Sequence, residues 1–286
     1  MLTASYAKIN LFLEVIEKLP SGFHKVNTVL CSIDLFDSIR FVLTNTGQIN
    51  LWSSDPDLMN ADNLIYKIAR HLQESYQVAN GVDVFLEKRI PIAAGLGGGS
   101  SNAAATIQAL NHVWNLNLSE REKHEIASGF GSDINFFLEG GCSLGSNRGE
   151  LITPMQDVHL RNILLVNPGI KIPASVAYGA VELPAQGETK QYDPDDPIAT
   201  AYNRLERGIR KLYPPVDELL KGLNADGAIV SMLSGSGSTC IGFFEDEVKL
   251  VDCLKRHQEL GNWTQRVRTI SRSEYKNVLK TETYNR

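Results

Sequence analysis

The chain has 286 residues, of which 43% are hydrophobic and 21% are charged, a composition typical of a soluble globular enzyme or binding protein with enough residues to bury a large core. Its net charge of -5 argues against a nucleic-acid partner, because such a partner favours a basic protein face. No apolar run reaches the roughly 18 residues of a membrane span, so we expect no membrane partner. No signal peptide is evident, and the four cysteines follow no disulfide spacing. We therefore expect a cytoplasmic protein.

The N-terminal stretch SYAKINLFLEV alternates in the way that predicts a β-strand with two distinct faces. One predicted face carries Ala7, Ile9, Leu11 and Leu13, and the other carries Lys8, Asn10, Phe12 and Glu14. Lys8 and Asn10 are therefore expected to be neighbours on one face. The segment PSGFH, Pro20 to His24, predicts a turn, and strands are expected at 26–33 and 38–43.

The pattern changes to helical spacing from Asp62, where apolar residues recur three and four positions apart and Asp62 or Asn60 is a plausible N-cap. A strand is predicted at 82–90. It leads into the glycine-rich segment GLGGGSSNAAA, residues 95–105, and a helix is predicted from Ser101 to Val113. A further helix at 119–127 begins with a capping box formed by Ser119 and Glu122.

The C-terminal half continues this mixture of elements. Predicted are a buried strand at 163–169, an exposed loop at 184–197, helices at 200–213 and 216–223, and a second glycine-serine turn, LSGSGST, at 233–239 before a strand. Strands and helices without strict alternation favour an α+β fold. We expect two domains, 1–154 and 155–286, that meet near 154–161.

The glycine-rich segment at 95–105 has the composition of a phosphate-binding loop. Glycine allows backbone N–H groups to approach a ligand closely, and a helix that begins directly afterwards adds unpaired N–H donors and the positive end of its dipole. The lysine of a P-loop is missing, and Ser100 stands where a dinucleotide fingerprint has its third glycine. A flexible turn without a ligand is the remaining alternative.

Three motifs of the chain resemble those of the galactokinase, homoserine kinase, mevalonate kinase and phosphomevalonate kinase superfamily: SYAKINLFLEV, PIAAGLGGGSSNAAA and MLSGSGST. The shorter matches GFH, ADNLI, GSDINFF and RGE are similar to one branch, which phosphorylates a hydroxyl of a cytidine-bearing alcohol in non-mevalonate isoprenoid synthesis. The resemblance implies a two-domain α+β kinase with its active site in the cleft between the domains. It also implies a small-molecule substrate, with ATP and Mg²⁺ as cofactors.

The resemblance also assigns roles to individual residues. Lys8 and Asp133 are expected to be catalytic, the first as a cation and the second as the acceptor of the hydroxyl proton. ATP is expected to contact Pro91, Ala94, Gly95, Leu96, Gly97, Gly98, Gly99, Ser100, Ser101 and, at the nucleotide, Asn63. The substrate is expected to contact Asn10, Phe23, His24, Tyr178 and Gly235, with His24 reading cytosine between the rings of Phe23 and Tyr178.

Several alternatives stay open at this stage. Asp133 could instead cap a short helix, and Lys8 could be a solvated strand residue. Mg²⁺ could be held by Ser100, by Ser101, or only by phosphate and water. The six histidines form no HxxxH or HxH pair, which argues against a histidine-rich metal site. The oligomeric state, monomer or homodimer, is undetermined.

Three departures from the family pattern concern the expected site. Phe23 replaces a more usual tyrosine, Ile134 and Asn135 replace a usual Val-Pro pair, and Arg204 replaces an aspartate. We also expect a side chain at Gly98 to block phosphate and leave the fold intact. Kinases of homoserine or mevalonate, and a nucleotide-binding module without turnover, are the alternative functions.

Overall fold

A computed structural model of the chain describes residues 1–185 and 188–281, in which two β-sheets are covered by helices. The strands are β1 (Leu2–Lys18), β2 (His24–Thr44), β3 (Ile49–Ser53), β4 (Gly81–Glu87), β5 (Cys142–Ser146), β6 (Leu151–Pro154), β7 (Ile163–Asn167), β8 (Tyr202–Asn203), β9 (Val230–Leu233), β10 (Cys240–Phe243) and β11 (Trp263–Val267). The helices are α1 (Leu64–Ser75), α2 (Gly98–Val113), α3 (Glu120–Phe130), α4 (Ile134–Glu139), α5 (Ala174–Gly179), α6 (Glu206–Leu212), α7 (Pro214–Ala225), α8 (Glu247–Glu259) and α9 (Arg272–Thr281), with a 3₁₀ turn at Pro56–Leu58.

The first sheet has the strand order β3-β4-β2-β1-β8, and β5 and β6 extend from β2. Strand β2 is continuous where two strands were predicted, because β1, β4 and β5 all pair along its length. A core of buried side chains from β2, β4 and α1 to α4 lies on one face of this sheet. Small residues of α2, among them Ala103 and Ala104, are fully buried there and allow close packing against the sheet.

The second sheet is antiparallel in the order β11-β7-β10-β9. Strand β7 is buried along its whole length, which confirms the predicted buried strand. Helices α7 and α8 contribute to the core on one side of this sheet. A further apolar cluster joins the two sheets, since Ile9 and Leu11 of β1 pack with Ile163 and Leu165 of β7.

Strand β1 departs from simple alternation because its pairing with β2 shifts register between Asn10 and Phe12. Phe12 consequently packs near the rings of Tyr192 and Tyr202 and belongs to the inter-sheet cluster. The prediction that Phe12 shares a face with Lys8 was therefore wrong, and the physical reason is this irregularity, which re-aims the following side chains.

Two other predicted boundaries were wrong. The N-cap of α1 is Asn63, whose side-chain oxygen accepts from the N–H of Ile65 at 2.9 Å. Asn60 serves the turn before the helix, where its side chain accepts from the N–H of Asp62. The helix predicted from 200 begins only at Glu206, because Tyr202–Asn203 pairs in parallel with β1.

Other predictions were confirmed or lie partly outside the described residues. The capping box of α3 is present, with Ser119 and Glu122 each accepting from the other's backbone N–H. The predicted loop at 184–197 contains no helix or strand among its described residues, and Gln186 and Gly187 lie outside them. None of the helices in the described part of the chain combines the length and apolar content that a bilayer crossing requires. The domain boundary near 154–161 stays a prediction.

Candidate active site

The first glycine loop ends at Gly97, which adopts a left-handed conformation (φ 70°) as the N-cap of α2. No side chain caps this helix in the described structure, and its first turn closes through the bond from the Ser101 N–H to the Gly97 carbonyl at 2.8 Å. A Cβ on Gly99 would meet nothing within 4 Å. The loop therefore presents an uncapped helix N-terminus to open space, the arrangement that binds phosphate.

A buried polar network fixes the base of this loop. The Asp37 carboxylate accepts from the N–H groups of Arg89 and Ile90 at 2.7 and 2.9 Å, and these bonds end β4 earlier than predicted. The same carboxylate pairs with Lys88 at 2.9 Å and accepts from the side chain of Asn102 at 2.9 Å. Burial lowers the pKa of Lys88, and the Asp37 carboxylate opposes that change. Sequence reasoning missed Asp37, since a lone aspartate in a strand has no distinguishing local pattern.

The second glycine loop, residues 233–239, lies directly against the first. The Ser234 hydroxyl donates to the Gly95 carbonyl at 3.1 Å, and the Thr239 N–H donates to the Ala94 carbonyl at 3.3 Å. A Cβ on Gly95 would lie 1.9 Å from the Ser234 carbonyl oxygen, so only glycine allows this approach. The Asn203 amide donates to the Gly235 carbonyl at 2.7 Å and holds the loop from the other side.

Lys8 lies where the two loops meet. Its side chain is buried, and its Nζ donates to Asn10 Oδ1 at 2.5 Å. The Lys8 N–H donates to the Leu96 carbonyl at 3.0 Å, which ties β1 to the first loop. A Cβ on Gly235 would lie 3.0 Å from Lys8 Nζ. Burial lowers the pKa of Lys8, and the nearby carboxylate of Asp133 opposes this effect. The solvated-lysine alternative is therefore wrong.

Asp133 precedes α4 at the N-cap position, but its side chain makes no capping bond within the described structure. Its carboxylate instead faces Lys8, with Oδ2 3.8 Å from Nζ, and the side chain is 42% exposed. An aspartate that only capped the helix would accept from the helix N–H groups. The geometry thus favours the catalytic interpretation of Asp133 over the capping one.

Two of the three predicted base-binding residues are in contact. The rings of His24 and Tyr178 stack at a centroid distance of 5.3 Å and an interplanar angle of 24°. Burial lowers the pKa of His24, with a smaller contribution from Lys18, which favours a neutral imidazole. Burial raises the pKa of Tyr178, and the negative charge of Asp133 raises it further.

Phe23 is 53% exposed and contacts a different partner from the one expected. The guanidinium carbon of Arg148 lies 5.0 Å from the centre of the Phe23 ring. Its ring is available for stacking, but the predicted opposition of Phe23 and Tyr178 across cytosine stays a prediction.

Several predicted ATP contacts have their polar groups occupied inside the protein. The Asn63 side chain caps α1 and donates to the Leu58 carbonyl. The Ser101 hydroxyl accepts from the Ser5 hydroxyl at 2.7 Å and is buried. Leu96 is buried in the inter-sheet cluster. The contacts of these three residues with ATP stay predictions that no described contact supports.

The expectation for Gly98 needs correction. A Cβ there would lie 3.0 Å from Ile90 Cγ2 and 3.1 Å from Lys88 Nζ, so a valine at this position would press on the support of the loop. Gly99 is the position at which a side chain would extend into open space.

Two departures from the family pattern have structural roles that local sequence could not reveal. The Asn135 amide donates to Ser128 Oγ at 2.8 Å and to the Glu150 carbonyl at 3.0 Å, linking α3 to the turn after β5. The Arg204 guanidinium makes two bonds to the buried carboxylate of Glu14, one of them at 2.9 Å. Arg204 is therefore matched by an acidic partner that is distant in the sequence.

Comparison with known proteins identifies the family. The model of the GHMP kinase N-terminal domain matches residues 63–141, and that of the GHMP kinase C-terminal domain matches residues 194–262. A 4-diphosphocytidyl-2-C-methyl-D-erythritol kinase of Thermodesulfovibrio yellowstonii is 34% identical over 94% of this chain and 98% of that protein. The chain belongs to the GHMP kinase family. It is a small-molecule kinase, and the resemblance inferred from its motifs is confirmed.

Further relatives agree with this GHMP kinase assignment. A kinase of the same name from Caldanaerobacter subterraneus is 38% identical over 86% of this chain and 89% of its own length. A crystal structure of 4-(cytidine 5'-diphospho)-2C-methyl-D-erythritol kinase covers 95% of this chain and 100% of its own, with a TM-score of 0.81 and 26% identity. The mevalonate kinase of L. major, at 15% identity and a TM-score of 0.69, covers 95% of this chain and 96% of its own and shares the fold. The predicted α+β GHMP kinase fold is thereby confirmed.

Proposed function

We propose that this GHMP kinase transfers the γ-phosphoryl group of ATP to the 2-hydroxyl of 4-diphosphocytidyl-2-C-methyl-D-erythritol. The observation that carries the proposal is the Lys8–Asp133 pair, at 3.8 Å, beside two glycine loops that contact each other. The names of the relatives supply the substrate. The stacked His24–Tyr178 pair supports a base-binding pocket.

Phosphoryl transfer requires mainly that the two reactants be positioned and that charge on the moving group be neutralised. The uncapped N-terminus of α2 binds the ATP phosphates through the N–H groups of Gly98, Gly99 and Ser100. Mg²⁺, the proposed metal, neutralises phosphate charge when it is bound. Oxygen ligands suit Mg²⁺, and it usually keeps several waters. The Ser100 hydroxyl is an oxygen ligand of this kind at the loop and would hold Mg²⁺ together with phosphate and water.

Asp133 accepts the proton of the substrate hydroxyl as the oxygen attacks phosphorus. Lys8 faces the Asp133 carboxylate at 3.8 Å and orients it, and its ammonium offsets the charge that develops on the transferring group. Asn10 fixes the Lys8 ammonium by accepting from it, while its own amide donates to Thr28 at 2.8 Å. The chain thus supplies a positioned base and a positioned cation.

The cytidine of the substrate is proposed to bind at His24, Tyr178 and Phe23. A stacked base contributes roughly 1–3 kcal/mol, and binding energy from a remote part of a substrate helps to orient its reacting group. Phe23 keeps the stacking face of the more usual tyrosine, so recognition of cytosine should survive this departure.

We further propose a cytoplasmic location. The four cysteines are free, buried thiols in the described structure, the form that a reducing cytoplasm maintains.

The experiment that tests the function is ADP release by the purified protein with ATP and a panel of alcohols. Efficient release is expected with 4-diphosphocytidyl-2-C-methyl-D-erythritol, with phosphorus NMR placing the new phosphate on the 2-hydroxyl. Little release is expected with methylerythritol phosphate, and none above background with homoserine or mevalonate. Equal specificity constants for the cytidine-bearing and truncated substrates would contradict the cytidine pocket. ATP binding without ADP release for any alcohol would favour the nucleotide-binding module.

A further inference from the structure

A cluster of three metal-ligating side chains lies outside the kinase site, between the end of α7 and the middle of α8. Its members are Asp226, Cys253 and His257, and their ligand atoms all lie within 4.8 Å of one another. Cys253 and His257 are four residues apart on α8 and therefore share one face of that helix. Asp226 is the C-cap residue of α7.

Two atoms of this cluster lack partners. His257 Nε2 and Asp226 Oδ2 are buried and have no hydrogen-bond partner among the described residues. They lie 3.6 Å apart, too far for a hydrogen bond, and only 4% of His257 is exposed. A buried imidazole nitrogen and a buried carboxylate oxygen left unpaired are costly, and a shared cation would satisfy both.

One separation between ligand atoms in the cluster already matches that of a tetrahedral zinc ion. Zinc bonds to nitrogen, oxygen and sulfur of about 2.0–2.3 Å place neighbouring ligand atoms about 3.3–3.7 Å apart. The distance of 3.6 Å between His257 and Asp226 already has this value. The widest separation between two ligand atoms of the cluster is at most 4.8 Å. Metal binding would shorten it by about 1 Å, which side-chain rotation allows.

The surroundings also suit a bound cation. The Arg256 guanidinium bonds to Asp226 Oδ1, which orients the carboxylate and leaves Oδ2 directed at the cluster. His257 Nδ1 lies 3.4 Å from the side-chain amide of Asn262, whose oxygen can accept the Nδ1 proton if the amide is rotated. Such outer partners fix the tautomer of a ligating histidine. The C-terminal end of α7 adds the negative end of its dipole.

We propose that Asp226, Cys253 and His257 form a zinc site with water as the fourth ligand. Thiolate, imidazole and carboxylate are each ligands of Zn²⁺, whereas Mg²⁺ takes oxygen ligands. Binding converts the Cys253 thiol to a zinc thiolate and releases its proton to solvent. The ion would fasten the end of α7 to α8.

The probe for this site is Co²⁺, followed by Zn²⁺, added to the chelator-treated full-length protein without nucleotide. We expect one equivalent of Co²⁺ to give a thiolate-to-cobalt charge-transfer band and the intense visible bands of tetrahedral cobalt. Zn²⁺ should displace Co²⁺ and raise the midpoint of thermal unfolding, since it binds the folded chain. A folded wild-type protein that shows no such band would overturn the proposal without any variant.

Variants locate the ligands. Cys253→Ser should abolish the charge-transfer band and weaken Zn²⁺ binding by more than the roughly 10–100-fold typical of losing an outer partner. Asp226→Asn should retain the band but weaken binding. Cys240→Ser, which changes a buried thiol elsewhere, is the matched control and should leave both unchanged. The thiols of Cys31 and Cys142 lie 3.1 Å apart elsewhere in the core. A band that survives Cys253→Ser and disappears in Cys31→Ser would place the ion there and overturn the assignment.

Discussion

Gly235 of the second loop has a left-handed backbone and also lies beside Lys8, the proposed catalytic cation, so its substitution by alanine tests both features with one added methyl group. The residue has a φ of +54°, and its Cβ would lie 3.0 Å from Lys8 Nζ and 3.1 Å from Asn10 Oδ1. The left-handed backbone costs a residue with a side chain about 1–2 kcal/mol. Ordinary contact distance requires Lys8 to move by several tenths of an ångström. A displacement of about 1 Å in a catalytic site costs about 100-fold.

We therefore expect Gly235→Ala to lose about 10–100-fold in kcat and about 1–2 kcal/mol in the free energy of unfolding. The assays are coupled ADP release and urea unfolding. Gly261→Ala is the matched control, because Gly261 has a φ of +81° and its Cβ would meet nothing within 4 Å. It should show the same loss of stability with unchanged kcat. Wild-type turnover in Gly235→Ala, or an equal loss of turnover in Gly261→Ala, would refute the reasoning.

Three further predictions follow from the site and its supports. Gly99→Val should weaken ATP-analogue binding by about 10–100-fold, the value of a lost hydrogen bond to a charged group, and leave the unfolding midpoint unchanged. Gly98→Val should also destabilise the fold by about 1–3 kcal/mol. Calorimetry measures the binding and thermal unfolding measures the stability, and equal behaviour of the two variants would contradict the geometry. Arg204→Ala should lower the free energy of unfolding by about 3–5 kcal/mol, because it leaves the buried Glu14 carboxylate without its counter-charge, held by the N–H groups of Val15 and Lys190. Adding Glu14→Gln should restore part of that loss in urea unfolding, and a double variant no more stable than the single one would argue against the ion pair. Because burial lowers the pKa of Lys8, its ammonium loses its charge at a lower pH than the ammonium of a free lysine does. The value of kcat/KM should therefore fall, as pH rises, below the pH at which a free lysine titrates. A pH profile that stays flat through the titration range of a free lysine would contradict a catalytic charge on Lys8.

The sequence predicted the parts of the fold whose signals are local. The alternation around Lys8, the capping box at Ser119 and the glycine-rich segments each depend on neighbouring residues, and each corresponds to an element of the structure. The resemblance of the motifs to the GHMP kinases extended these local signals to the family, which the relatives confirm.

Features that depend on distant partners were not predictable in this way. Asp37 holds the base of the first loop through bonds to residues more than 50 positions away, and Arg204 finds Glu14 at a separation of 190 residues. The N-cap of α1 was placed wrongly for a subtler reason, since Asn60, Asp62 and Asn63 are all good capping residues. Only the folded turn decides which of the three side chains reaches the helix N–H groups.

Asp133 is the residue on which the proposed mechanism depends most directly, and Asp133→Asn is its sharpest test. The amide keeps the shape of the side chain but cannot accept the hydroxyl proton, so single-turnover phosphoryl transfer should slow by roughly 10²–10⁴-fold. ATP affinity should stay near wild type and the protein should remain folded, because the carboxylate makes no capping bond to α4 and is 42% exposed, although Lys8 loses the counter-charge that it faces. Near-wild-type transfer, or unfolding that accounts for the lost activity, would contradict the account and leave Asp133 without a catalytic role.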